Sequence, residues 1–361
     1  MSATARQSTP AKLVALVFAV ALIGAASLNR VCAQDATAEQ VAQLVERVRA
    51  ASPANLPREA FTIAQTLLVE RRYQEAYDLF AALLEKLPRE PTALYGAALA
   101  SFNLGRATEA ERLAHAAVDV YFDGVADSAV KAMTAERRQR AADSLVLLAV
   151  VLGARGDDDQ ALKTVERATQ LAPNHYDAQF TLGRALYTVG DSAGAAKAFG
   201  AALRIKPDDT RALFFLATTL EAAGETEAAA TAYSELARRH PDAAEGHLGL
   251  GVMLVKRGGA DVGKGIEELR TAIRLDPNQY EAQVNLGRAL LTQKLPAESI
   301  IHFQRAAELW PGNPEPHYQL AIAYRRLGFN DKAIAETAIV KRIHESRRGE
   351  GAQNNNTARP E

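Results

Sequence analysis

Apolar residues recur at helical spacing along most of this chain. Val41, Leu44, Val45 and Val48 fall on one face of residues 36–51, which predicts an amphipathic helix. Further along, the pattern also repeats on a longer scale. Leu182, Gly183 and Leu186 are followed by Gly190, Ala195, Phe199, Ala202 and Pro207. Leu216, Ala217 and Leu220 are followed by Gly224, Ala229, Tyr233, Leu236 and Pro241. Leu286, Gly287 and Leu290 are followed by Ser299, Phe303, Ala306 and Pro311. Pro173, Pro207, Pro241, Pro277 and Pro311 are spaced by 34, 34, 36 and 34 residues, so one unit is repeated.

Each slot of the unit has a physical reason. Small residues at positions eight and twenty let two helices approach, and large ones at seven, eleven and twenty-four fill the space between them. Glycine near position fifteen supplies the left-handed backbone that ends the first helix. Proline at thirty-two ends the second and leads into the next turn.

A 34-residue helix-turn-helix unit with these slots resembles the tetratricopeptide repeat. The resemblance implies an all-α fold, a right-handed α-solenoid of about eight repeats. Its register gives units at 57–90, 91–124, 142–175, 176–209, 210–243, 244–279, 280–313 and 314–347. The first two are looser, marked by Ala76, Phe80 and Pro88 and by Ala98, Gly105, Ala110 and Ala117. The last begins regularly and then places Thr337 where the large residue belongs, as a terminal cap would. No unit carries the family's Trp at position four; the lone Trp310 stands beside Pro311. Residues 125–141 are a helical insertion between the second and third units, either an extended helix or a binding feature. Within residues 34–56, the helix over 36–51 is expected to cover the N-terminal end, and the tail 348–361 lacks apolar anchors and is expected to be disordered.

Composition agrees with helix: 48% of residues are hydrophobic and only 6% aromatic. Residues 1–33 read as an export signal, with Arg6 and Lys12 before the apolar run Leu13 to Ala26, and Val31 and Ala33 at the positions that a signal peptidase inspects. The run of 14 apolar residues is short of the ~20 needed to span a bilayer. Cleavage near Ala33 removes the one cysteine, Cys32, and three positive charges, taking the formal charge from −1 to −4. A cysteine-free exported chain suits a periplasm or a secreted location, and a lipoprotein or an uncleaved anchor is the lesser alternative. Nothing in the charge favours a nucleic-acid partner.

Three motifs compete with the repeat. GDSAG, Gly190 to Gly194, spells the G-x-S-x-G of a hydrolase nucleophile elbow centred on Ser192, but that elbow needs a preceding strand where the repeat places a helix. Ser192 is therefore assigned to capping the following helix. GGADVGKG, Gly258 to Gly265, approaches a phosphate loop around Lys264, but Gly265 replaces the hydroxyl residue that would hold Mg²⁺. The run Asp157, Asp158 and Asp159 follows Gly156 at a helix junction, where acidic residues cap and favour a helix start. No histidine pair has metal-ligand spacing, so no metal or cofactor is expected.

The resemblance further implies that the first helices of the repeats line a concave groove, with positions two, five, six, nine and twelve facing inward. Those positions bring Phe61, Tyr95, Phe102, Phe180, Tyr187, Phe214, Phe215 and Tyr318 to the groove, with Arg184, Asn285, Arg288 and Arg325 among them. Aromatics and arginines carry much of the energy of protein interfaces; the competing use of these rings is packing between adjacent repeats. Position five carries no Lys, so the family's carboxylate clamp for chaperone termini is not expected. The expectation is a non-enzymatic scaffold that binds a protein or extended peptide, in cell-envelope assembly, secretion or polysaccharide export. A spacer that uses its convex surface and ends is the alternative, and a serine hydrolase the least favoured.

Overall fold

The computed structural model describes residues 37–125, 129–130 and 132–356, with side chains through Arg348. The expected export segment, with Cys32, lies outside these residues. Among the described residues there are seventeen α-helices and no strand. Helix α1 (Ala38–Ala50) precedes eight helix pairs. They are α2 (Glu59–Val69) with α3 (Tyr73–Lys86), α4 (Pro91–Asn103) with α5 (Ala107–Phe122), α6 (Ala135–Ala154) with α7 (Asp158–Leu171), and α8 (Tyr176–Thr188) with α9 (Ser192–Ile205). Then come α10 (Thr210–Ala222) with α11 (Thr226–Arg239), α12 (Ala244–Arg257) with α13 (Asp261–Leu275), α14 (Tyr280–Thr292) with α15 (Pro296–Leu309), and α16 (Pro314–Arg326) with α17 (Asn330–Asn356). The fold is an all-α solenoid of repeats.

The turn within each pair is set by position fifteen. Gly105, Gly156, Gly190, Gly224, Gly258 and Gly328 have positive φ there, and so do Arg71 and Lys294, both at φ 61°. In seven of the turns the next residue's N–H donates to the carbonyl five residues back, as Asp191 N does to Leu186 O at 2.9 Å and Leu295 N to Leu290 O at 2.9 Å. This is the six-to-one bond of a Schellman motif, which satisfies a carbonyl left over at the helix end. In five of the eight pairs the side chain of the residue before the first helix then serves as its cap. Asp209 accepts from Ala212 N at 2.9 Å, His175 Nδ1 from Ala178 N at 3.2 Å, and Glu90 from Ala93 N at 2.7 Å.

The space between helices is filled by the large residue at position twenty-four, and each aromatic there lies against a glycine. A Cβ on Gly183 would lie 2.7 Å from the Phe199 ring, and one on Gly287 2.6 Å from Phe303; in both cases the glycine is at position eight of the same repeat. Phe80 and Tyr233 have Ala64 and Ala217 at position eight instead. Their rings occupy the Cβ space of Gly96 and Gly249, at position six of the following repeat. The ring therefore fills whichever side is hollow.

The chain divides into two compact units, one through Leu171 and one from Ala172. In the first, α1 packs on α3 and buries Val41, Leu44, Val45 and Val48. The part of the insertion that is described extends α6 by more than a turn: Thr134 caps it, accepting from Arg137 N at 3.2 Å, and Met133 is buried with Tyr121 and Ala141. In the second unit consecutive pairs stack from α8 to α17. The tail differs from expectation, because α17 runs on through Asn356. No proline intervenes before Pro360, so the helical hydrogen bonding is not interrupted, and residues 357–361 lie outside the described region.

Candidate functional site

In the unit from Ala172, first helices of consecutive pairs contact one another from α10 onward: α10 touches α12, α12 touches α14 and α14 touches α16. Their shared surface is therefore the inner one. Its residues come from positions five, nine and twelve, one turn apart on each helix.

At the α8–α10 end, aromatics gather. Phe180 lies 5.6 Å from Phe199 and 5.6 Å from Phe215, centroid to centroid, while Phe199 and Phe215 stack at 5.4 Å and Phe214 meets Phe215 at 5.9 Å. Phe180 is only 5% exposed. This corrects the expectation for Phe180 as a groove residue: its ring, stacked on Tyr176 at 5.9 Å, belongs to the core between repeats. Phe215 is packed against the same core, since position six faces the next ring rather than the groove. Phe214 is half-buried and flanks this cluster on the α12 side, against Leu250, Met253 and their neighbours. Tyr187, 43% exposed, is accessible.

Cations surround the rings. Arg211 Cζ lies 5.2 Å above Phe180 and Lys206 Nζ 4.0 Å above Tyr176. Arg184 is half-buried, and burial together with the positive charge of Arg211 pulls its guanidinium below its ordinary range. Burial pushes the Tyr176 hydroxyl up, with the Asp209 carboxylate beside it. Asp209 is held low by the Ala212 N–H, Tyr176 and Arg211 although burial opposes this, and its carboxylate is 3.5 Å from Arg211.

Towards α16 the surface changes character. Leu248 and Val252 of α12 are partly buried against the α13–α14 core, and Ile322 of α16 lies in the same way against the last pair. Sequence reasoning missed these three because an aliphatic residue on a helix reads as core; positions five and nine were the signal that places them inward. Arg288 of α14 pairs with Glu315 of α16. Asn285 donates Nδ2 to Glu281 O at 2.7 Å. Tyr318 is 58% exposed, and Arg325, also exposed, reaches Thr337 Oγ1 at 3.4 Å. The remaining expected groove rings, Phe61 on α2 and Tyr95 and Phe102 on α4, are half-buried in the unit that ends at Leu171.

The competing motifs take structural places. The cap of α9 is Asp191, whose Oδ1 accepts from Gly194 N at 2.9 Å, and Ser192 is the first helical residue. This corrects the assignment of the cap to Ser192; the carboxylate reaches the third N–H of the helix and a Cβ on Gly194 would collide with it. Asp157 likewise accepts from Gln160 N at 3.3 Å and starts α7. Lys264 lies exposed in the first turn of α13, while Gly265 is buried against α12, where a Cβ would come 2.9 Å from Gly251 O. That close backbone approach explains why no hydroxyl residue stands there. Among the described residues, no group of three or more metal-ligating side chains is gathered and no helix is long and apolar enough to cross a membrane.

The tetratricopeptide repeat family matches residues 61–124, 146–210, 180–237, 216–263 and 259–314. The chain belongs to this family. Among solved structures, this tetratricopeptide repeat protein is similar to the C-terminal part of a repeat-containing protein from Cytophaga hutchinsonii, at 17% identity and TM-score 0.53, over 72% of this chain and 99% of that one. It is also similar to PilF of Pseudomonas aeruginosa, at 18% identity and TM-score 0.50, over 58% of this chain and 94% of that one. MamA of Desulfovibrio magneticus matches at 18% identity and TM-score 0.44, over 47% and 96%. At such identities the likeness is one of fold. No curated protein matches the sequence significantly. Family membership supports a role as a protein-interaction scaffold.

Proposed function

We propose that this protein is a non-catalytic scaffold that holds an extended segment of a partner protein on the inner surface of its second unit, from α8 to α16. The observation that carries this reading is the set of side chains on four first helices, α8, α10, α12 and α16: Tyr187, Phe214, Leu248, Val252, Ile322 and Tyr318, bordered by Arg184, Arg288 and Arg325. An apolar strip edged by arginines is the composition of a binding surface. Ser192, set in the backbone of a helix start behind its cap, supports the non-enzymatic reading.

We place this scaffold outside the cytoplasm, periplasmic or secreted, in cell-envelope assembly, secretion or polysaccharide export. The basis is the sequence of residues 1–33. Affinity capture of the full chain from its native envelope tests both statements. Partners should be recovered with the native chain and lost with a Phe214→Ala, Tyr318→Ala double variant of unchanged helicity; equal recovery would exclude the inner surface. Finding the chain in the cytoplasmic fraction with residues 1–33 still attached would exclude export.

A further inference from the structure

Position sixteen, the residue after the left-handed one in each turn, is charged in five repeats: Arg72, Arg106, Asp157, Asp191 and Glu225. In the last two repeats it is Leu295 and Phe329. Neither is buried, since Leu295 is 42% exposed and Phe329 51%. Nor does Leu295 serve the turn: it gives α15 no side-chain cap, whereas Asp191 in the same slot caps α9. An apolar residue that breaks the local pattern and neither packs nor caps points to a use outside the fold.

The two turns are neighbours. Arg326, at the end of α16, donates to Leu291 O at 2.6 Å, which ties the ends of α14 and α16 together just before Leu295 and Phe329. Ile334, 68% exposed, stands in the second turn of α17. Cations frame these side chains. Lys294 precedes Leu295, Lys332 Nζ is 5.4 Å from the centre of the Phe329 ring, and Arg326 lies between the turns. All three are exposed, and among the described residues none of them is paired with a carboxylate. The acids nearest in sequence are Asp331 and Glu298, and Glu298 is engaged by Arg270 at 3.3 Å.

Apolar tips ringed by cations suit a surface that is anionic outside and apolar beneath. An anionic bilayer has both layers, and it needs no pocket matched to Leu295 or Phe329, as a folded partner would. A turn is also the point of a helix pair that reaches furthest along the helix axes, so two adjacent tips can enter a membrane boundary while the helices stay in water. We propose that the turn edge of α14 to α17 docks on an anionic lipid bilayer, with Leu295 and Phe329 entering the headgroup boundary and Lys294, Lys332 and Arg326 meeting lipid phosphates. This contact leaves the apolar strip of the inner surface free for a partner segment.

Cosedimentation of the full chain with vesicles tests it. Binding to phosphatidylcholine vesicles with about one phosphatidylglycerol in three lipids should exceed binding to pure phosphatidylcholine roughly tenfold, and should fall as salt is raised. A Leu295→Asn, Phe329→Asn variant should bind roughly tenfold more weakly; asparagine is a good residue at a helix start, so this variant should melt as the native chain does. Lys294→Gln and Lys332→Gln should each weaken binding about fivefold, the factor for one cation at an anionic surface. Residues 1–33 carry an apolar run that can itself adhere to lipid, so a local readout is needed. A bimane label on Asn330→Cys in a Cys32→Ser chain should shift its emission to the blue with the anionic vesicles and not with pure phosphatidylcholine. Absence of vesicle binding, binding that all these variants leave unchanged, or a label that stays in water on the bound chain would overturn the proposal. Loss of a captured envelope protein from the Leu295→Asn, Phe329→Asn variant, with no vesicle binding by the native chain, would assign the turn edge to a protein partner instead.

Discussion

The ring of Tyr233 occupies the space that a Cβ on Gly249 would need, and its hydroxyl donates to Glu221 at 3.1 Å. The ring belongs to one repeat and the glycine to the next, so the contact is a joint between neighbours in a solenoid whose stability resides largely in such joints. Gly249→Ala is expected to overpack it and to destabilise the unit by about 1–3 kcal/mol. Tyr233→Leu should make room, so that the two changes together cost less than their sum, with a coupling on the order of 1 kcal/mol. Thermal unfolding of the four proteins followed by circular dichroism measures this cycle, and strict additivity would show that the joint is loose.

Lys294 sits at the turn position where six other repeats have glycine, at φ 61°. The left-handed conformation costs an ordinary residue roughly 1–2 kcal/mol, and the greater freedom of glycine in the unfolded chain offsets roughly 0.5–1 kcal/mol of the gain from replacing it. Lys294→Gly should therefore stabilise the second unit by about 0.5–1 kcal/mol, visible as a raised midpoint in thermal unfolding. Gly190→Lys should move it the other way. An unchanged or lowered midpoint for Lys294→Gly would mean that the lysine side chain makes contacts that outweigh the backbone strain.

The repeat turns were legible because each slot answers a local requirement that the backbone imposes wherever it turns: a left-handed residue at Gly190, a small residue at Gly183. The direction of a ring at positions five and six was not legible in this way. Phe180 and Phe214 occupy the same position in consecutive repeats, yet the first is core and the second borders the surface, because each ring goes where its neighbours leave a hollow. One clue was present: in the two repeats that pair an aromatic at position twenty-four with alanine at position eight, Ala64 and Ala217, glycine appears at position six of the next repeat, Gly96 and Gly249. Ser192 was misplaced by a single residue, since Asp191 is the better acceptor for the free N–H groups of the helix start.

His302 links α15 to α14 by donating Nδ1–H to Gln283 Oε1 at 2.8 Å, and Gln283 in turn donates to Pro277 O at 3.2 Å. Burial, reinforced by the positive charge of Arg270, holds the imidazole below its ordinary range. The unfolded chain therefore binds this proton more readily than the folded one. Stability should fall as the pH drops from about 6.5, the ordinary value for histidine, towards the lower folded value. His302→Asn should flatten that slope between pH 7 and 5 while retaining a donor for Gln283. Melting temperatures across this range test the prediction, and a slope identical in variant and native protein would assign it to other groups.

Phe180 and Phe214 separate binding from folding. Phe180→Ala removes a buried ring that contacts Tyr176, Phe199 and Phe215, so it should destabilise the second unit by about 3–5 kcal/mol. Any loss of partner capture by that variant should accompany a lowered melting temperature. Phe214→Ala trims a half-buried ring beside Arg211 and should cost less stability, because part of its surface is already in water. Its effect should fall on binding. Melting and capture measured on the same two preparations decide the matter: a Phe214→Ala variant that melts as the native protein does yet captures no partner supports the inner surface, whereas native capture by Phe214→Ala assigns the binding energy to another face.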